Sequence, residues 1–214
     1  MIEKFLEIAR SKIGCGYVYG SQGQIMTAIL LNSLIKIFGI SHYEFLDSAG
    51  KVNANKWIGK QAFDCSGFVV WILQQIGVLK ANQDYTAAGL YSSLCEPVTK
   101  DQLVPGDLVF IRPTSGTINH VGIYSGNGKT IEAIGTRKGV VQGDVSRFNV
   151  YGRLKAFKAE IEKPDSKEMT FEQALEIVVE KADTVYQYWL KRKDIDPAFS
   201  ALIIKVAKAF GGGK

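Results

Sequence analysis

At Pro105 the apolar residues of this chain change their period, and that change restricts the fold more than any other feature. Before it, Ile2, Phe5, Leu6, Ala9 and Ile13 recur at helical spacing over residues 2–13. Residues 24–38 read as a second apolar helix, and Phe68, Val69, Ile72, Leu73 and Ile76 as a third that Gly77 closes. A shorter helix is expected over Asp84–Leu94, and residues 39–62 carry no regular period. After Pro105 come DLVFIRP, HVGIYSG, KTIEAIG, GVVQG and RLKAF, short β-branched or aromatic runs separated by glycine, asparagine and proline. Asn127-Gly128 between two of these runs is a strong hairpin signal, because both turn positions favour residues that tolerate positive φ. Helices followed by antiparallel strands predict an α+β domain in which a helix packs on a small sheet.

A chain of 214 residues is long enough for one substantial core and a small appendage. The second change of pattern falls near residue 158. Glu160–Glu168 is charged and contains Pro164, Thr170 with Gln173 forms a capping box, and Asp196-Pro197 restarts a helix. The expected organisation is a catalytic body over 1–158, a linker over 159–169 and a helical hairpin over 170–214. About fifty residues is little for independent stability, so the hairpin has three open roles: completing the core, binding a cell wall, or pairing with a second copy as a homodimer.

The formal charge is +5 and the pI near 9.0, which favours anionic surfaces. The basic residues are not clustered among aromatics, which argues against nucleic acid as a partner. The amino terminus, MIEKFLEIARSKIG, has the pattern of an amphipathic helix and not of a signal peptide. The apolar stretch Ile25–Ile40 is broken by Thr27, Asn32, Ser33 and Lys36, so no integral membrane segment is expected. Cys15, Cys65 and Cys95 cannot all pair with one another, and their spacing fits no zinc pattern. No metal or cofactor is expected.

A cysteine becomes nucleophilic where its thiolate is stabilised, and a helix start supplies partial positive charge and free N–H groups. Cys65 occupies that position, with Asp64 as the cap and Gly67 permitting close approach. Of the two histidines, His120 opens the run HVGIY after a polar loop, whereas His42 has nothing local to fix it. An imidazole acting as base needs a third group to set its tautomer. Glu132 lies on the strand paired through the Asn127-Gly128 turn. Regular pairing sets position 120 near 135, which makes Glu132 a diagonal neighbour that reaches His120 through a bulge or its own length. Each residue alone has an ordinary reading, as a small core thiol, a structural histidine or a solvated carboxylate. Their combination points to thiol-based hydrolysis.

The motifs YVYG, FDCSGFV, PGDLVFI and HVGIYSGNGKTIEA, in that order over residues 3–157, resemble the NlpC-type cell-wall peptidases of the NlpC and P-sixty superfamily. The resemblance implies a papain-like cysteine peptidase that cuts peptidoglycan between γ-D-glutamate and the diamino acid of the stem peptide, without a metal. It implies Cys65, His120 and Glu132 as catalytic residues, and Tyr17, Asp64 and Ser66 as substrate-binding residues. Two departures stand out. The third catalytic position in that family is His, Asn or Gln, and a Glu there is similar to the CHAP amidases. The stretch 21–62 is an insertion before the nucleophile that can cap or shape the cleft. An N-acetylmuramoyl-L-alanine amidase and a non-catalytic wall-peptide-binding module remain as alternatives. With no signal peptide visible, the expectation is a protein made in the cytoplasm and acting at the cell wall, as a bacteriophage endolysin would.

Overall fold

The structure is a computed structural model, and it describes residues 1–114, 116–161 and 205. The chain divides into two compact units, Met1–Ile161 and Glu162–Lys214. The expected hairpin over 170–214 and most of the linker before it lie outside the described residues. Residues 159–161 are described, and they belong to a short helix, Lys158–Ile161. Glu160 there accepts from the amino-terminal nitrogen at 3.0 Å, which ties the last turn of this unit to its first residue.

The unit opens with α1, Ile2–Ser11, whose Phe5, Leu6 and Ala9 are buried. Strand β1, Gly16–Tyr17, follows, then β2, Gln22–Ile25, and α2, Ala28–Phe38. The helix expected over 24–38 thus begins late, because the Thr27 side chain accepts from Leu30 N at 3.1 Å and caps it. Ile25 is left to pair with Gln61. Residues 39–62, which show no period in sequence, fold into a hairpin of β3, Glu44–Asp47, and β4, Gly50–Asn53, before β5, Gln61–Phe63. In the small sheet β5 lies between β1 and β2.

This inserted region has its own core of Met26, Leu31, Leu34, Tyr43, Ala54 and Trp57 with Val18. The Trp57 ring bonds Thr136 O at 2.7 Å through its N–H, and Arg137 grips Asp47 with two bonds of 2.6 and 2.8 Å. The insertion is therefore fastened to residues 136–137, in a turn that joins two neighbouring strands of the main sheet.

Helix α3, Cys65–Gln75, buries Phe68, Val69, Val70, Ile72 and Leu73. Gly77 beyond it takes φ of 76°, the left-handed conformation expected of a residue that stops a helix. The short helix expected over 84–94 appears as a turn at Ala87–Gly89, capped by Thr86, that runs into a wider turn at Leu90–Leu94. The main sheet is then built from β6, Cys95–Pro97; β7, Leu108–Ile111; β8, His120–Gly126; β9, Lys129–Gly135; β10, Gly139–Asp144; and β11, Val150–Leu154. Its order is β10-β9-β8-β7-β11-β6, and every described pairing in it is antiparallel.

One face of this sheet presents Val121, Ile123, Ile131 and Ala133 to α3 in a continuous apolar core. Burying these side chains supplies the main driving force for the unit, at about 1.5–3 kcal/mol for each large one. The architecture is the papain-like α+β arrangement read from the sequence, with the helix that starts at Cys65 laid across an antiparallel sheet. Asn127 and Gly128 both have positive φ, 51° and 72°, as the tight β8–β9 turn requires.

Candidate active site

Cys65 is the first residue of α3, and Asp64 caps the helix by accepting from Gly67 N at 2.7 Å. The same carboxylate accepts from Gly20 N at 2.9 Å and from the Ser66 hydroxyl at 3.1 Å. Asp64 therefore joins the loop after β1 to the start of α3. Burial pushes its carboxyl above the usual range, against the pull of those N–H donors. Gly67 is needed for this approach, since a side chain there would strike the Ser21 carbonyl oxygen.

The Cys65 sulfur lies 4.0 Å from Asn119 O, and the Val121 N–H also points at it. The sulfur thus touches the backbone on both sides of His120. Burial first, and the Asp64 charge second, push the thiol up to about 12, while the N–H groups of Val121, Ser66 and Cys65 pull it down. An isolated thiolate here is costly. A thiolate formed as its proton moves to an imidazole would keep the local charge balanced.

The His120 ring is held by side chains. Its Nε2 lies 2.6 Å from Glu132 Oε2, and Glu132 is fully buried. The other carboxylate oxygen accepts from the Thr130 hydroxyl at 3.2 Å. Phe148 stacks against the imidazole, with centroids 5.9 Å apart and planes inclined by 23°. Nε2 is engaged by the carboxylate, so Nδ1 is the ring nitrogen that the carboxylate leaves open.

Glu132 reaches His120 through a register shift. Ile123 pairs with Ile131 and Tyr124 with Thr130, but Gly126 pairs with Lys129, so Ser125 is an extra residue on β8. Continued along the strands, this register sets Glu132 opposite Gly122 and on the same face as His120. Gly122 has no side chain to obstruct the carboxylate, and a Cβ there would meet Glu132 Cβ at 3.2 Å. Gly143, on the other neighbouring strand, leaves room for Glu132 Oε1 in the same way.

A cavity of about 520 Å³ opens beside the thiol, lined by Tyr17, Asp64, Cys65 and Ser66 together with Phe38 from the insertion and Asp84. All the residues expected at the site from the sequence thus either line this cavity or join the His120–Glu132 pair. Burial, and after it the charges of Cys65 and Asp64, drive the Tyr17 hydroxyl well above the ordinary phenol range, so it stays a neutral donor. The insertion contributes Phe38, which meets Tyr19 edge-on at 5.3 Å, and His42, stacked on Tyr19 at 4.2 Å. His42 is therefore fixed by a residue 23 positions earlier, and only through tertiary contact.

Cys15 and Cys95 are free like Cys65, and burial raises both thiols, Cys95 to about 12. Neither is backed by an imidazole in the described contacts. Among the described residues no group of three or more His, Cys, Asp or Glu side chains is arranged to hold a metal ion, and no helix is long and apolar enough to cross a membrane.

A thiol at a helix start, set against the strand that carries an imidazole paired with a buried carboxylate, is an arrangement suited to thiol chemistry. Residues 52–157 match the model of the NlpC/P60 family. It is 36% identical over 101 residues to probable endopeptidase NlpC of Escherichia coli, covering 47% of this chain and 62% of that protein. It is 34% identical over 108 residues to murein DD-endopeptidase MepH of the same species, covering 44% and 39%. Probable endopeptidase p60 of Listeria seeligeri is 43% identical over 75 residues, 35% of this chain and 13% of that protein. The chain thus spans less than two thirds of the length of these relatives. Among solved structures, the peptidoglycan hydrolase RipB of Mycobacterium tuberculosis is similar at a TM-score of 0.47 and 23% identity, covering 71% of this chain and 63% of that one.

Proposed function

We propose that this protein is a cysteine endopeptidase that hydrolyses the stem peptides of bacterial peptidoglycan. The observation that carries the reading is the buried His120–Glu132 contact of 2.6 Å, set next to a sulfur that the strand backbone around His120 holds in place. Cys65 attacks the scissile carbonyl as its proton passes to His120. The N–H groups at the start of α3 receive the developing oxyanion, and His120 then protonates the leaving amine. A water that His120 deprotonates cleaves the resulting thioester, releasing the carboxylate and restoring the Cys65 thiol. Glu132 orients the imidazole and balances its charge. Tyr17, Asp64 and Ser66 line the side of the cavity where the substrate amine is held. The bond cut is that between γ-D-glutamate and the diamino acid, a reading that rests on the motif resemblance, whereas the names of the relatives support only endopeptidase activity in general.

The test is digestion of purified sacculi by the full chain, with mass spectrometry of the released fragments. A diamino acid at the new amino terminus is expected. A new L-alanine amino terminus would assign amidase activity instead. Retained release by Cys65→Ala overturns the thiol mechanism. A His120→Ala variant is expected to lose iodoacetamide alkylation of Cys65 near neutral pH, because the thiol then has no nearby proton acceptor.

A further inference from the structure

The carboxylate that holds His120 has a third partner on an element outside the catalytic strands. Arg147 Nη2 lies 3.4 Å from Glu132 Oε2, the same oxygen that meets His120. Arg147 ends a tight turn, Val145–Arg147, that Asp144 caps by accepting from Ser146 N at 2.9 Å. The turn is pinned at both ends, by Val145 N to Gly128 O at 2.9 Å and by Phe148 N to Val145 O at 3.0 Å. Val145 and Phe148 are buried against Val109. The guanidinium also sits 5.3 Å from the centre of the Phe148 ring, the ring that stacks on His120. Imidazole, Phe148 and guanidinium thus follow one another around a single carboxylate.

We infer that Arg147 is a positioning residue of this site, a fixed cation that partners buried Glu132 and opposes the positive charge on His120, so that it sets the pH window of the Cys65–His120 pair. The inference rests on the proposed thiol mechanism. A carboxylate with no exposure to water needs more than one donor, and Thr130 serves only the far oxygen. Guanidinium suits the task because it stays charged at any working pH and can stack on an aromatic ring while reaching an acid. On β9 and β10 the other charged groups near Glu132 are Lys129 and Asp144, which pair with each other at 3.5 Å and are half exposed. Asp64 acts from the Cys65 side, and Arg112, after β7, has its guanidinium over the Tyr91 ring. Gly122, Val141 and Gly143, the strand neighbours of Glu132, carry no charge.

The sign follows from Coulomb's law. Removing a cation beside an imidazole favours its protonated form and disfavours a nearby thiolate, so both limbs of the activity profile move to higher pH. The experiment is the pH profile of kcat/KM for fragment release by the full chain, in the wild type, Arg147→Gln, Arg147→Lys, Glu132→Gln and the Arg147→Gln/Glu132→Gln double variant. Arg147→Gln is expected to shift both limbs upward and to lower kcat/KM about tenfold with little change in KM. Arg147→Lys keeps the wild-type limbs. In the Glu132→Gln background the further loss from Arg147→Gln shrinks, because the carboxylate it serves is gone.

Unmoved limbs in Arg147→Gln, with kcat falling only as the melting temperature falls, would overturn the inference in favour of a structural turn residue. The pH dependence of Cys65 alkylation by iodoacetamide gives the same reading without substrate, and an unshifted midpoint in Arg147→Gln overturns it equally. A wild-type chain that releases nothing from sacculi, or a Cys65→Ala chain that still does, strikes instead at the proposed activity and leaves the alkylation result to judge Arg147.

Discussion

The sulfur half of this site is fixed by backbone and the imidazole half by side chains. Cys65 meets the main chain at Asn119, Val121 and its own helix start, and the Asp64 cap binds the N–H groups of Gly67 and Gly20. His120 is set by Glu132, Thr130, Arg147 and Phe148, which touch one another through side-chain atoms. Backbone contacts are rigid and cannot be exchanged without moving an element. Side-chain contacts can be retuned one substitution at a time. The sulfur side is therefore the fixed part of the site, and the imidazole side is the adjustable part.

Two glycines separate these halves directly. Gly67→Ala drives a methyl into the Ser21 carbonyl oxygen, which cannot move alone because it also accepts from Asp64 N at 2.8 Å. The expected cost is about 1–3 kcal/mol in chemical denaturation, together with loss of fragment release. Gly143→Ala meets only the tips of Glu132 and Thr130. Its melting temperature should stay close to that of the wild type while kcat/KM falls about tenfold, measured on the same sacculi. Equal stability losses in the two variants would erase the distinction.

A third change keeps the cap and alters only charge. Asp64→Asn retains a side-chain oxygen for Gly67 N but removes the anion that helps push the Cys65 thiol up. The pH midpoint for alkylation of Cys65 is expected to move down, as followed by mass spectrometry. The smallest effect belongs to the clasp between insertion and main sheet. Arg137 holds the exposed Asp47 carboxyl below the usual carboxylate range, through a side-chain hydrogen bond. The pair contributes above the unfolded carboxylate pKa, and that contribution is lost as pH falls through the lower folded value. Arg137→Ala should lower the melting temperature slightly at neutral pH and in low salt, and match the wild type in acid.

Much of this was legible in the sequence because local signals and tertiary structure agree. Asp64 before an apolar helix, Gly77 after it and Asn127-Gly128 between two β-runs each require a backbone conformation that few residues tolerate. The helix expected over 24–38 started too early because Thr27 was not taken as its cap. The β3–β4 hairpin was missed for a different reason. Its exposed Phe45 and Leu46 give no alternation between a buried and a wet face, and its fastening is Arg137, 90 positions from Asp47. The stack of His42 on Tyr19 is likewise a contact between distant residues. For the site, Cys65 and His120 could be read from position alone. The reach of Glu132 could not, because it depends on one irregular residue in β8.

That irregular residue has a consequence for how such sites can change. Side chains alternate along a strand, so a hairpin that kept Ser125 but paired it evenly would set Glu132 opposite Ile123 and turn it away from the imidazole, toward the greasy side occupied by Ile131 and Ala133. The bulge is thus a parity switch: one residue held out of the ladder at the corner of a hairpin decides which face of the sheet receives the carboxylate.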